Sequence, residues 1–227
     1  MSLLEEQQAF YTQRVPDQFN HTLEQQRKNV EAGEAPDEAK RLEEMEAVRA
    51  SIAVKVKAQS QGESEGTEHL FEIDRGVMRH LGQSEVPLRP PFMRIEHTLD
   101  DFPNLRRECG DSLLGFLGGL AGLGDEMKLT ALRVRNLREL EGGLRFERIG
   151  PGGFVLNAFF GAAASAEAAA TGAEPDPRAT IRLSEEVYGL LQSGTLDPQD
   201  AFLDGRIEIE GDLEMAIGLA LTAASPD

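Results

Sequence analysis

The segment from Leu213 to Ala224 carries one charged residue, Glu214, and is otherwise apolar or small around its whole circumference at helical spacing. A helix with no polar side has to be covered by something. Three covers exist: the chain's own core, a second subunit, or a ligand. The segment falls well short of the roughly 20 apolar residues that a membrane span takes, and the other long apolar run, Leu113–Leu123, is broken by glycines. Stable membrane insertion is not expected.

The residues leading into this helix have a clear local reading. Asp197 and Pro198 form a cap and first-turn proline for a short helix that ends at Gly205, with Phe202 and Leu203 as apolar anchors. Arg206, Glu208 and Glu210 alternate with Ile207 and Ile209, which makes a strand with one wet face and one dry face. Gly211-Asp212 then turns the chain and caps the last helix. Upstream, Ala179–Leu183 reads as a strand, and Ser184 caps a helix with Glu185 and Glu186 in its first turn. Val187, Leu190 and Leu191 line one side of that helix, which Gly194 ends. Earlier still, Leu144 and Phe146 alternate with Arg145 and Glu147, GPGG at 150–153 reads as a hairpin turn, and Phe154–Phe160 is the next strand. Ala162–Thr171 and the following EPDP form a loop or weak helix.

Residues 1–50 read as helical. Pro16 is expected to break the opening segment, with Asp17 capping a helix that carries Phe19, Leu23 and Val30. A second helix begins near Pro36, and its stripe of Leu42, Met45 and Val48 runs on to Ile52. These helices either pack on the chain's own sheet or offer a face to a homodimer or another protein. The period then changes: Ile52, Val54 and Val56 alternate with Ala53, Lys55 and Lys57, the pattern of a half-buried strand. Leu70–Ile73 and Phe92–His97 supply two more strands, followed by a helix near Leu99–Arg107 and another over Met127–Leu140. Between these two helices, LLGFLGGLAGL reads as a buried helix with close contacts or as a flap over a cavity. The trio Arg133, Arg135 and Arg138 reads as a solvated helix face.

Sliding the chain against itself by 86 residues brings like residues together. Ile95 meets Ile181, Thr98 meets Ser184, Phe102 meets Tyr188, Leu105 meets Leu191, and Phe116-Leu117 meets Phe202-Leu203. The matches keep the same strand–helix–helix order, which points to duplication.

The stretch LDPQDAFLDGRIEIEGDLEMAIGLAL, with ATIRLSEEVYGLLQSG before it, resembles the C-terminal signature of the sterol carrier protein type 2 family. Leu196, Pro198, Gln199, Ala201 and Phe202 match its helix, and Gly205, Ile207, Ile209 and Gly211 match its strand. The resemblance implies an α+β (mixed α/β) fold of two tandem sterol-carrier-like units, each a roughly five-stranded sheet covered by helices, after a helical N-terminal segment. The boundaries are 1–50, a decayed unit at 51–134, and a ligand-binding unit at 135–227. It also implies non-catalytic binding or transfer of a sterol, fatty acyl chain or isoprenoid in an apolar tunnel beneath the final helix. Carried onto this chain, the lining is Phe154, Leu156, Val187, Leu190, Leu191, Phe202, Ile207, Ile209, Met215, Ile217 and Leu219. The alternative is an interaction module or accessory subunit whose tunnel is filled by its own side chains.

Other functions find less support. A net charge of −17 repels phosphates, so nucleic acid is not an expected partner. His21, His69, His80 and His97 fall on dissimilar elements without ligand spacing, and His69 and His97 would meet only across strands. No G-x-S-x-G elbow or G-x-x-x-x-G-K phosphate loop occurs, and Cys109 lacks a local activating group. No enzyme activity, metal or cofactor is expected. The single cysteine and an opening without a basic, apolar leader fit a cytoplasmic protein.

Overall fold

The computed structural model describes residues 2–33, 36–58, 66–120, 127–165 and 176–224. Its first helices are α1 (Leu3–Ala9), α2 (Val15–Glu31) and α3 (Pro36–Glu46). Pro16 does not end the first of these. A π-helical stretch, Phe10–Arg14, joins α1 to α2, and the Val15 N–H reaches back to Phe10 O. A widened turn of this kind accommodates a proline, which has no N–H to give and whose ring crowds the preceding turn.

Eight strands follow in chain order: β1 (Arg49–Lys57), β2 (Gly66–Asp74), β3 (Val77–His80), β4 (Met93–Thr98), β5 (Gly142–Ile149), β6 (Phe154–Phe160), β7 (Ala179–Ser184) and β8 (Ile207–Gly211). Between and after them lie α4 (Phe102–Cys109), α5 (Gly115–Leu120), α6 (Ala131–Glu139), α7 (Glu185–Gln192), α8 (Pro198–Leu203) and α9 (Leu213–Ala224). The α+β class and the helical N-terminus agree with the sequence reading. The strands, however, form one continuous sheet in the order β3-β2-β1-β4-β6-β5-β7-β8, with four contributed by each half. The seam is the antiparallel pairing of β4 with β6, which sets Ile95 opposite Ala158. In both halves a hairpin's first strand also pairs in parallel with a later strand: β1 with β4, and β5 with β7.

Alternation along the strands divides the sheet into two faces. Ile52, Val54, Phe71, Ile95, Phe146, Leu156, Ile181 and Leu183 are buried in one core with residues of the helices. Burying this apolar surface is the main drive to fold, at about 25 cal/mol per Å². The opposite face carries ion pairs, including Lys57 to Glu96 at 3.0 Å, Arg182 to Glu147 at 2.6 Å and Arg182 to Glu210 at 2.7 Å. The connection from β3 to β4 crosses this face, where the Leu88 N–H donates to Glu72 at 3.1 Å.

The GPGG turn lies between β5 and β6 as its glycines suggest, with Gly150 and Gly152 at φ +111° and +70°. The helix expected at Met127–Leu140 begins only at Ala131, where the Thr130 hydroxyl accepts from the Arg133 N–H at 3.2 Å. The arginine trio is split. Arg135 and Arg138 are exposed, but Arg133 is buried and donates to Lys128 O, so it is no solvated residue. Of the LLGFLGGLAGL run, the part up to Leu120 includes α5, while 121–123 lie outside the described residues. Most of Ala162–Thr171 lies outside them too; Gly161–Ala164 forms a 3-10 turn.

Candidate functional site

The last helix starts as its sequence requires. The Asp212 carboxylate accepts from the Met215 N–H at 3.0 Å and pairs with Arg178. The cap N–H holds that carboxyl below its usual range. Met215, Ala216 and Leu219 face inward and are buried. Leu213, Ile217 and Leu221, spaced by four, stand on the outer side and are exposed, Ile217 at 45 %. The final helix therefore has a covered apolar face and an uncovered one. Phe202, at 38 % exposure, and Leu203, at 79 %, add to the apolar surface of this half.

Of the eleven expected lining residues, Phe154, Leu156, Val187, Leu191, Ile207, Met215 and Leu219 are buried together in the core. Leu190 and Ile209 are half-buried. Phe202 and Ile217 point outward: Ile217 falls on the side of α9 away from Met215 and Leu219, and Phe202 follows the inward Ala201 on α8. Inside this half, Phe146, Phe154 and Tyr188 meet ring to ring, with centroids 5.7 to 6.5 Å apart. Two of those rings, Phe146 and Tyr188, were not among the expected lining residues. Their inward strand and helix positions were the available signal.

Two cavities lie elsewhere, on either side of Cys109. The larger holds about 100 Å³ and is lined by α2, the end of α3, the α4–α5 turn and Met127–Leu129. The smaller, about 20 Å³, lies between the π-helical stretch, α4 and the sheet. Cys109, Gly110, Ser112 and Leu113 border both. Leu156 is the one expected lining residue that reaches either cavity.

Three of the four histidines, His69, His80 and His97, gather under the N-terminal helix. His69 and His97, on strands flanking β1, are both buried against Tyr11. His97 Nδ1 lies 2.7 Å from Thr98 O, so that nitrogen carries the proton and Nε2 accepts from the Tyr11 hydroxyl at 2.6 Å. His69 contacts Gln7 at 2.7 Å and His80 at 3.2 Å. Burial, followed by the neighbouring His80 and His97, pushes His69 down to about 4. His97 and His80 are lowered as well, chiefly by burial. Among the described residues, no group of three or more His, Cys, Asp or Glu is placed to hold a metal ion, and no helix is long and apolar enough to cross a membrane.

No curated protein matches the chain. Among solved structures, the sterol carrier protein domain 2 of Helicoverpa armigera is 25 % identical, over 40 % of this chain and 76 % of that one, at a TM-score of 0.28. Sterol carrier protein 2 from Yarrowia lipolytica in its apo form is 14 % identical, over 49 % and 91 %, at 0.30. The segment that runs from within α6 into α9, residues 135–222, matches the SCP-2 sterol transfer family.

Proposed function

We propose that this chain takes up and releases a small apolar ligand, a sterol, fatty acyl chain or isoprenoid, without altering it covalently. The observation that carries this reading is the family match over 135–222. The form of α9 supports it. A helix that only closes a core has a polar outer side, whereas α9 keeps Leu213, Ile217 and Leu221 there. A helix that exchanges protein contacts for a guest, or leans on a lipid surface while doing so, needs apolar residues on both sides. The guest would enter as α9 moves outward and would replace its contacts with α5, α6, β7 and β8. Covering a few hundred Å² of apolar tail is worth several kcal/mol, at about 25 cal/mol per Å², before ordering costs. Further parts of the same proposal are the cytoplasmic setting and the division into helical 1–50, a structural unit at 51–134 and a related ligand-binding unit at 135–227. The matching hairpin-plus-parallel-strand order of the two halves supports this division.

A second reading, an interaction module or accessory subunit, is favoured by the ring contacts among Phe146, Phe154 and Tyr188, which fill the interior between β5, β6 and α7. Displacement of a fluorescent fatty acid, together with native mass spectrometry of gently purified protein, separates the two. The carrier reading expects saturable displacement and a co-purifying apolar mass that leaves on denaturation. Met215→Trp fills the inner face of α9 with apolar volume and is expected to weaken uptake at least tenfold. Unaltered uptake in a variant with an unchanged circular dichroism spectrum removes α9 from the site, and a bare chain that ignores the probe favours the second reading.

A further inference from the structure

We propose that Asn20 acts as a strand surrogate, its side-chain amide closing the β3 edge of the sheet against pairing with a second copy of the chain. β3 ends the eight-strand order, and among the described residues no strand pairs with its outer side. In an antiparallel ladder every second residue of an edge strand turns its N–H and C=O away from its neighbour. The Leu81 N–H donates to Leu70 O at 2.8 Å, and Arg79 stands opposite Glu72 in the same register. Met78 and His80 are therefore the residues of β3 whose backbone groups face outward. At Met78 both groups are taken. Its N–H donates to Asn20 Oδ1 at 2.8 Å, and Asn20 Nδ2 donates to Met78 O at 3.0 Å. A residue of a neighbouring strand would make this same pair of bonds. Here one primary amide, with a donor and an acceptor side by side, supplies both.

The helix itself gains nothing from this residue. Asn20 stands inside α2, where alanine or glutamine is the better helix former. Glutamine, however, is one methylene longer, and alanine offers Met78 nothing. The strand is held in place for the contact from its other end. The Gly76 N–H of the turn before β3 donates to Val48 O at 3.2 Å, and a Cβ at Gly76 would come within 2.6 Å of Met45 O. An open edge is a template for a further strand, and covering it with a helix is one way in which proteins prevent this. Two copies of the same edge are self-complementary when they run antiparallel about a twofold axis. Val77, exposed at 47 %, would add an apolar side chain to such a pairing. α2 therefore does more than lie over β3, because it fills the hydrogen-bonding positions that a second copy would need.

Amide hydrogen exchange and sedimentation velocity on the full chain test this. Asn20→Ala favours the helix and removes both bonds. It is expected to speed exchange of the Met78 amide at least about tenfold in dilute solution. It is also expected to shift the sedimentation profile toward twice the wild-type mass as concentration rises, with Met78 exchange slowing again because edge-to-edge pairing covers the same group. Asn20→Asp keeps an acceptor for the Met78 N–H and is expected to retain slow exchange there, which a general loosening of α2 would not allow. Met78 exchange that is unchanged in Asn20→Ala, or equally fast in Asn20→Asp, overturns the surrogate. A sedimentation profile for Asn20→Ala that matches wild type at every concentration overturns the blocking of a second copy. Displacement of a fluorescent fatty acid is expected to be unaffected in both variants, so this inference and the carrier reading fail separately.

Discussion

Between pH 7 and pH 4 the protein is expected to lose on the order of 3 kcal/mol of stability through His69 alone. In the unfolded chain a histidine takes up its proton near 6.5, whereas burial holds His69 near 4 in the fold. The folded-state value is the lower one, so the stabilisation is fully present above about 6.5. It drains as pH falls, at about 1.4 kcal/mol per unit, until the folded ring also binds its proton. His97 and His80 are shifted in the same direction and steepen the loss. The carboxylates held low by partners, Glu72 by Arg79 and Glu147 by Arg145 and Arg182, lose their contribution only below the ordinary carboxylate range. The histidine window therefore stands apart from acid denaturation in general. Physically, protonating His69 places a charge between Tyr11, Gln7 and His80, where the Gln7 side chain is the one uncharged polar partner at hydrogen-bond distance and the other is a second base. Urea midpoints at pH 7.0, 5.5 and 4.5 give the measurement. His69→Gln should lower stability at every pH yet flatten the slope between 6.5 and 4.5. A wild-type midpoint that stays level over that range contradicts the account.

The histidine cluster also shows what the sequence discloses and what it hides. His69 shares a strand face with Phe71, and His97 with Ile95, and the neighbouring inward residues are apolar. The period-2 rule alone places both rings inside. What it cannot supply is the helix that meets them, because Gln7 and Tyr11 lie 62 and 86 residues away from their partners. Local signals were read correctly where they are strong. Ser184 caps α7 through the Val187 N–H, Asp197 caps α8, and Asp212 caps α9, each from a side chain next to the helix it starts. The missed strand β3 follows a two-residue turn, Arg75-Gly76, with both φ values positive at 52° and 75°. Asn or Asp normally announces such a turn at its first position, and an arginine there gives no warning. The single sheet was hidden for another reason. The pairing of β4 with β6 joins strands about 60 residues apart, and nothing in either strand's own pattern names its neighbour. The expected tunnel lining was legible as apolar but not as lining, since periodicity separates inside from outside and does not separate a filled interior from a hollow one.

Glu108→Ala is expected to cost about 3 kcal/mol, although Glu108 belongs to α4, outside the C-terminal half. Arg148, on the inner side of β5, is buried and cannot reach water. Its guanidinium lies 3.1 Å from Glu108 at the end of α4 and 3.7 Å from Glu185 at the start of α7, donates to Gly152 O, and rests over Phe154 at 5.6 Å. The first and second halves of the chain thus meet on one buried cation, and Gln192 of α7 adds a bond to Glu108 O at 3.0 Å. Removing the nearer carboxylate leaves that cation without its closest counter-charge in a low-dielectric interior, which typically costs about 3–5 kcal/mol. Glu185 is half exposed and farther away, so it offsets only part of this and places the expectation at the lower end. The reciprocal change should be milder. Arg148→Met keeps the apolar stem over Phe154 and leaves Glu108 with Arg107 at 3.0 Å and with 17 % of its side chain exposed to water. The double variant Glu108→Ala with Arg148→Met is then expected to recover most of what Glu108→Ala loses, giving a coupling of at least about 1.5 kcal/mol in a double-mutant cycle. Urea unfolding of the four proteins at pH 7 measures it. A Glu108→Ala loss below about 1 kcal/mol, or purely additive effects, would show that the halves are held together by apolar contact alone and that Arg148 is satisfied by Glu185 and the Gly152 carbonyl.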